Sequence, residues 1–108
     1  MPFHLAEQFP EFAVELAELL ERHGRKELAR AVPSLTVMDR CRCGDDFCAT
    51  MYTVQRPRGA WGEGHRTLAL DPKTGFLIID VVQDKIFEIE VLYRNEIRDR
   101  LQTLMPLT

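Results

Sequence analysis

The spacing of apolar residues changes near Leu35, and this change constrains the fold more than any other feature of the sequence. Before Leu35, apolar residues recur every three or four positions, which predicts a first amphipathic helix within residues 3–23 and a second over 25–32. After it, short runs rich in β-branched and aromatic residues alternate with turn residues, which predicts β-strands. The chain is therefore predicted to fold as an α+β protein.

Five strands and a last helix are predicted after the change in spacing. The strands cover 35–38, 47–55, 65–70, 76–82 and 85–92, and the helix covers 96–104. Asp71–Gly75 has the composition of a tight turn, and the other connections are also short. Short connections favour an antiparallel meander whose apolar face is covered by helices. With 108 residues, the chain is long enough for one domain spanning 1–108.

Charge and composition restrict the possible functions. The net charge is −3, and no region has the basic excess that nucleic-acid binding requires, so a nucleic-acid partner is disfavoured. The N-terminal residues do not resemble a signal peptide, and no apolar run approaches the ~20 residues of a membrane span. A cytoplasmic location is therefore predicted. The odd number of cysteines, three, argues against a disulfide framework in that compartment.

The three cysteines lie within eight residues and form the pattern C-x-C-x4-C, at Cys41, Cys43 and Cys48. One hypothesis is a zinc site, because neighbouring thiolates can converge on one tetrahedral ion. Zinc would need a fourth ligand. The candidates are Asp45, Asp46, Asp71 and His23.

Two other interpretations of the cysteines remain open. The simpler one is a hairpin loop whose free thiols are partly buried and serve only packing. The other is a redox-active group, in which Arg40 and Arg42 lower a thiol pKa. His65 is not expected to join the cysteines. If the second and third strands are antiparallel neighbours, His65 lies about 20 Å from Cys48, at the opposite end of the sheet.

A glycine-rich loop carries the only tryptophan, Trp61, and suggests an interaction surface. Arg56, Arg58 and Arg66 surround it in the sequence, and Tyr52 precedes it on the second predicted strand. Tryptophan and arginine are enriched in protein–protein interfaces. The leading functional prediction is therefore a non-catalytic module that binds a protein partner or itself, with no cofactor. The alternative is a zinc-binding or thiol-redox domain.

Catalytic motifs give no support for an enzyme. The sequence contains no P-loop, nucleophile elbow or His-Glu-x-x-His motif. Glu88 and Glu90 share one strand face and could be taken for paired catalytic acids. Because they alternate with apolar residues, they are predicted instead to face solvent. The protein is predicted not to be an enzyme.

Overall fold

The computed structural model describes residues 2–55 and 61–107, and it confirms the α+β fold class. The helices are α1 (Leu5–Gln8), α2 (Pro10–Arg22), α3 (Lys26–Ala31) and α4 (Asn95–Leu104), with a 3₁₀ turn at Val32–Ser34. The strands are β1 (Phe3–His4), β2 (Thr36–Val37), β3 (Asp39–Arg40), β4 (Met51–Tyr52), β5 (His65–Leu70), β6 (Phe76–Val82) and β7 (Lys85–Leu92). Strands β1 and β2 form a small separate pair, and the other five form one antiparallel sheet.

The N-terminal helical segment divides at Phe9. Pro10 has no backbone N–H, so it is tolerated in the first turn of α2 but not within a continuous helix. Helix α2 then buries an apolar stripe that includes Phe12, Leu16 and Leu20. It ends before Gly24, whose φ of +81° is the left-handed conformation that commonly terminates helices.

The order of strands in the main sheet is β3-β4-β7-β6-β5. Strands β5, β6 and β7 follow one another through short connections, as predicted, and β6 lies inside the sheet. The expected adjacency of the second and third predicted strands was wrong, because β4 pairs with β7 and not with β5 (Met51↔Ile89). This arrangement encloses the apolar β7 between two strands, so that hydrogen-bonding groups on both of its edges find partners.

The hydrophobic core lies between the helices and one face of the sheet. Its sheet residues include Ala49, Met51, Ile79, Ile89 and Val91. Because side chains alternate along a strand, the residues between them belong to the opposite face, here called the outer face.

Arg94 links helix α2 to the connection between β7 and α4. Its guanidinium donates two hydrogen bonds to the Glu15 carboxylate, at 2.9 and 2.8 Å, and these bonds raise the pKa of Arg94. The same guanidinium lies 5.9 Å from the centre of the Phe12 ring. Such two-pronged pairs fix orientation as well as distance, so Arg94 aligns α2 with the end of the sheet.

Among the residues that the structure describes, no helix has the length and apolar character needed to cross a membrane.

Candidate metal centre

The side chains of Cys41, Cys43 and Cys48 converge at one edge of the sheet. Their three sulfur atoms all lie within 4.8 Å of one another. Cys48 is buried, Cys41 is half-buried and Cys43 is exposed, and none forms a disulfide. The group therefore spans the boundary between the protein interior and solvent, with room for thiolate ligands to meet on one ion.

Backbone hydrogen bonds hold the cysteine loop in place. The amide of Cys41, just after β3, donates to the Thr50 carbonyl at 2.9 Å, and the amide of Cys48 donates to the Asp45 carbonyl at 3.2 Å. Cys48 also forms an isolated antiparallel bridge with Leu92 at the end of β7. These bonds bring the first and last cysteines of the loop together.

The surroundings of the sulfur atoms favour a thiolate at Cys48. Burial raises the pKa of Cys48, but hydrogen bonds from the hydroxyl and backbone amide of Thr50 and from the other two thiols outweigh burial and lower it. The Thr50 Oγ1 atom lies 3.5 Å from the sulfur.

Cys43 behaves in the opposite way. The backbone amide of Asp45 lowers the pKa of Cys43, but burial and hydrogen bonding with the other two cysteines outweigh that bond and raise the pKa to about 12. The shared hydrogen bonds thus lower the pKa of Cys48 and raise that of Cys43.

Arg40 is a buried cation directly beside the cysteines. Only 4% of its surface is exposed. Its guanidinium donates to the carbonyls of Cys41 and Met105, at 3.2 and 3.1 Å, and to Gln102 Oε1 at 3.0 Å. These acceptors are all neutral. Burial lowers the pKa of Arg40, whereas negative charge on Cys48 and Cys41 acts to raise it. The sequence suggested Arg40 as a cation beside the thiols but gave no sign of its burial.

Arg42 makes a second link between the cysteine loop and the C-terminal segment. It donates to Asp39 Oδ1 at 3.2 Å and to the Pro106 carbonyl at 3.4 Å. Together with Arg40, it attaches the loop to the residues that follow α4.

The predicted fourth ligands do not join the three sulfur atoms. Within the described ranges, the group of potential metal ligands around the cysteines contains no carboxylate or imidazole. His23 and Asp71 line a shallow surface pocket beside the end of β5, at the opposite edge of the sheet from β3. Asp45 and Asp46 lie in the cysteine loop and are exposed; an Asp46 oxygen is 3.8 Å from Arg98 Nη2.

His65 lies outside the cysteine group, as predicted, although the strand adjacency on which that prediction relied was wrong. It is paired with Val82, and its Nε2 atom lies 2.7 Å from Asp80 Oδ1. His65 therefore lies beside one end of β6. Phe76, at the other end of β6, pairs with Leu92 near the cysteines.

The predicted interaction residues are only partly brought together. Trp61 is half-buried, with its ring centre 6.2 Å from that of Tyr52 and 5.5 Å from that of Phe87. Arg66 is exposed on β5, which lies three strands away from β4, the strand that carries Tyr52. In the sheet, Arg66 is paired with the core residue Val81. Arg56 and Arg58 lie outside the described residues.

The outer face carries an acidic group that the sequence did not reveal. Carboxylate oxygens of Asp80, Glu88 and Glu90 lie within 4.8 Å of one another. Asp80 is buried and accepts a hydrogen bond from the Thr67 hydroxyl at 2.9 Å. Glu88 and Glu90 are half-buried, not fully exposed, and burial together with the charge of Asp80 raises the pKa of Glu90. Only the pairing of β6 with β7 brings these acids together.

Three exposed aromatic residues, Phe47, Phe76 and Tyr93, form a patch beside the cysteine loop, here called the aromatic patch. They are 38%, 58% and 55% exposed. The Tyr93 ring stacks on Phe47 with 5.1 Å between centres and meets the edge of Phe76 at 5.7 Å. The patch is joined to the cysteine loop through Phe47, which precedes Cys48. The Tyr93 amide donates to the Phe47 carbonyl at 2.9 Å.

Comparison of the chain with protein-family models, curated proteins and solved structures gives no match.

Proposed function

We propose that the protein is a zinc-binding domain whose ion is held by Cys41, Cys43 and Cys48. The observation that carries this proposal is the convergence of the three sulfur atoms to within 4.8 Å of one another. Zinc–sulfur bonds of ~2.3 Å are compatible with sulfur atoms at such separations. Three cysteines that served only packing would have no need to share one point, particularly with Cys43 exposed.

The buried Arg40 supports the proposal independently. A buried cation is costly unless a negative charge lies close to it. The described acceptors of Arg40 are neutral, so the thiolates are the negative charges positioned to compensate it. Three thiolates and one Zn²⁺ ion carry a net charge of −1, so the centre would keep negative charge beside the Arg40 guanidinium.

This function requires a reducing compartment that keeps the thiols free. A cytoplasmic location fits that requirement. The redox alternative uses the same residues, and the lowered pKa of Cys48 favours the reactive thiolate form at that residue. Zinc is favoured over it because three converging sulfur atoms exceed what a two-cysteine redox pair needs.

Metal analysis of the purified protein tests zinc binding. After exposure to Zn²⁺ and removal of the excess, we expect about one equivalent of zinc and a higher melting temperature, since binding only to the folded state stabilises that state. Cys43→Ser, at the exposed ligand, is expected to weaken zinc affinity by at least about 10-fold. Asp46→Asn, in the same loop but outside the sulfur group, is the matched control and should keep one equivalent. Zinc below about a tenth of an equivalent in the wild type, with no effect of a chelator on melting, would end the proposal.

A second candidate is self-association through the aromatic patch. The observation that favours it is the contact between three exposed aromatic side chains, since such groups are enriched at protein interfaces. Trp61 is a weaker candidate for the contact residue because its ring already packs on Tyr52 and Phe87.

Sedimentation over a range of protein concentrations tests this candidate. We expect the wild type to form dimers as the concentration rises and Phe76→Ser to shift the transition to concentrations at least about 10-fold higher. Val14→Ser, which changes an equally exposed residue on α2, is the control. A wild type that stays monomeric throughout would exclude self-association.

A further inference from the structure

The three-cysteine group leaves one zinc coordination position without a ligand from this chain. Zinc in proteins is almost always bound by four ligands at a structural site. Among the described residues, the group of potential ligand atoms at this site consists of the three sulfur atoms. The residues outside the described ranges, Met1, 56–60 and Thr108, contribute no Cys, His, Asp or Glu side chain. Within residues 1–108, no other side chain is placed as the fourth ligand, so this position is open to a ligand from another molecule, as at zinc sites that keep an open position.

Solvent can reach this position. Cys43 is exposed, and the loop residues on both sides of it are exposed as well. The buried side of the site, in contrast, is occupied by Thr50 and Arg40. An external ligand would approach from the side of Cys43.

The chemistry of the site selects the kind of ligand. Three thiolates donate strongly to zinc and leave it a weak Lewis acid, so a bound water is only weakly held and polarised. Soft sulfur ligands are well matched to such an ion. A fourth thiolate would bring the net charge of the centre to −2, and the Arg40 guanidinium, bonded to the Cys41 carbonyl, supplies positive charge beside it. Arg42 shares its charge with Asp39, while the described acceptors of Arg40 are neutral.

We propose that the open position binds an external thiol. This inference rests on the proposed zinc site. The thiol RSH replaces the bound water, its sulfur forms the fourth zinc–sulfur bond, and its proton passes to the departing water as H₃O⁺. The zinc does not change its oxidation state. The thiol can belong to a small molecule or to a cysteine of a second, metal-free copy of the chain, whose thiols are not engaged at a zinc ion, and the recognising chemistry is the same for both.

Cobalt substitution under anaerobic conditions tests the proposal on the wild-type chain. Co²⁺ occupies zinc sites, and its thiolate charge-transfer absorbance reports the number of bound sulfur atoms. We expect addition of glutathione to raise this absorbance saturably by about a third, the change from three thiolates to four. S-methylglutathione, which has no free thiol, is the matched control and should change nothing. Sedimentation without added thiol, at less than one equivalent of Co²⁺, supplies the second arm, because a cysteine from a metal-free second copy would give the four-thiolate spectrum together with a dimer.

The outcomes separate this inference from the zinc proposal. A four-thiolate spectrum that requires glutathione identifies the small-molecule source, and one that appears without it in a dimer identifies another copy. A three-thiolate spectrum that neither glutathione nor raised protein concentration alters would overturn the inference and leave the zinc site standing. A complete absence of thiolate–cobalt absorbance would remove the zinc site itself.

Discussion

At the scale of single residues, Glu90 is a carboxyl group whose ionisation lowers the stability of the folded state. Its pKa is raised by burial and by the nearby Asp80 carboxylate. A carboxyl group with a raised pKa in the folded state binds its proton more tightly there than in the unfolded chain. The stability that it contributes is therefore present at low pH and is lost as pH rises from its ordinary value of 4.5 through the raised pKa.

Replacement of Glu90 by Gln should remove this loss. At pH 7 we expect Glu90→Gln to have a higher free energy of unfolding than the wild type, by less than ~1 kcal/mol because solvent screens the partly exposed group. At pH 4 and below the two proteins should converge, as measured by urea denaturation at each pH. Glu63→Gln, at an exposed loop position, is the control and should show little difference. A destabilised Glu90→Gln protein at pH 7 would contradict this account.

Arg40 illustrates at the same scale what the sequence could not reveal about the site. The closeness of the three cysteines in the sequence made a zinc site one of the hypotheses, because ligands near one another in sequence can meet without help from the rest of the fold. The burial of Arg40 depends on the end of α4, which supplies the Gln102 and Met105 acceptors. A local sequence pattern cannot predict a contact between residues more than 60 positions apart.

At the scale of elements, the turn between β5 and β6 is fixed by close packing against the end of β7. Gly75 has a φ of +75°, a conformation that side chains other than glycine adopt reluctantly. An added Cβ atom would overlap the Leu92 carbonyl oxygen and lie 3.0 Å from Arg94 Cγ. Gly44, in the cysteine loop, has a similar φ of +80° but has nothing within 4 Å of the added atom.

The two glycines therefore make a matched pair. Gly44→Ala should cost about 1 kcal/mol of unfolding free energy, from backbone strain alone. Gly75→Ala should cost at least ~2–3 kcal/mol, because steric overlap with the backbone adds to the same strain. Chemical denaturation of both variants measures the difference. Equal losses would show that the turn moves away from Leu92 without penalty.

Secondary structure was predictable from the sequence wherever the apolar residues of a segment repeat with a single helical or strand period. Helix α2 and strands β5, β6 and β7 follow the apolar spacing of their sequences. Of the predicted strand over 47–55, only Met51–Tyr52 forms a continuous strand, and Cys48 adds an isolated bridge to Leu92. The cysteine loop accounts for part of this shortening, since Cys41 and Cys48 use their amides to close the loop.

At the scale of the whole molecule, the order of strands decided which predicted residues meet. Placement of β4 beside β7 brings the cysteine loop against the residues that follow β7, including Tyr93. It also places β5 at the far edge, which separates Arg66 and Asp71 from the cysteines and from Tyr52. The proposed zinc site and the aromatic patch are thus neighbours because of one long-range pairing.

The sequence by itself determined the α+β class, the helical and strand periods, and the grouping of three cysteines, because each depends on residues close together in the chain. Only the tertiary structure decided the strand order, the acidic group on the outer face and the buried position of Arg40. These depend on which elements bury their apolar faces together. Several strand orders are compatible with the same local sequence pattern. The strand order is therefore determined by how the whole chain packs and not by any one segment.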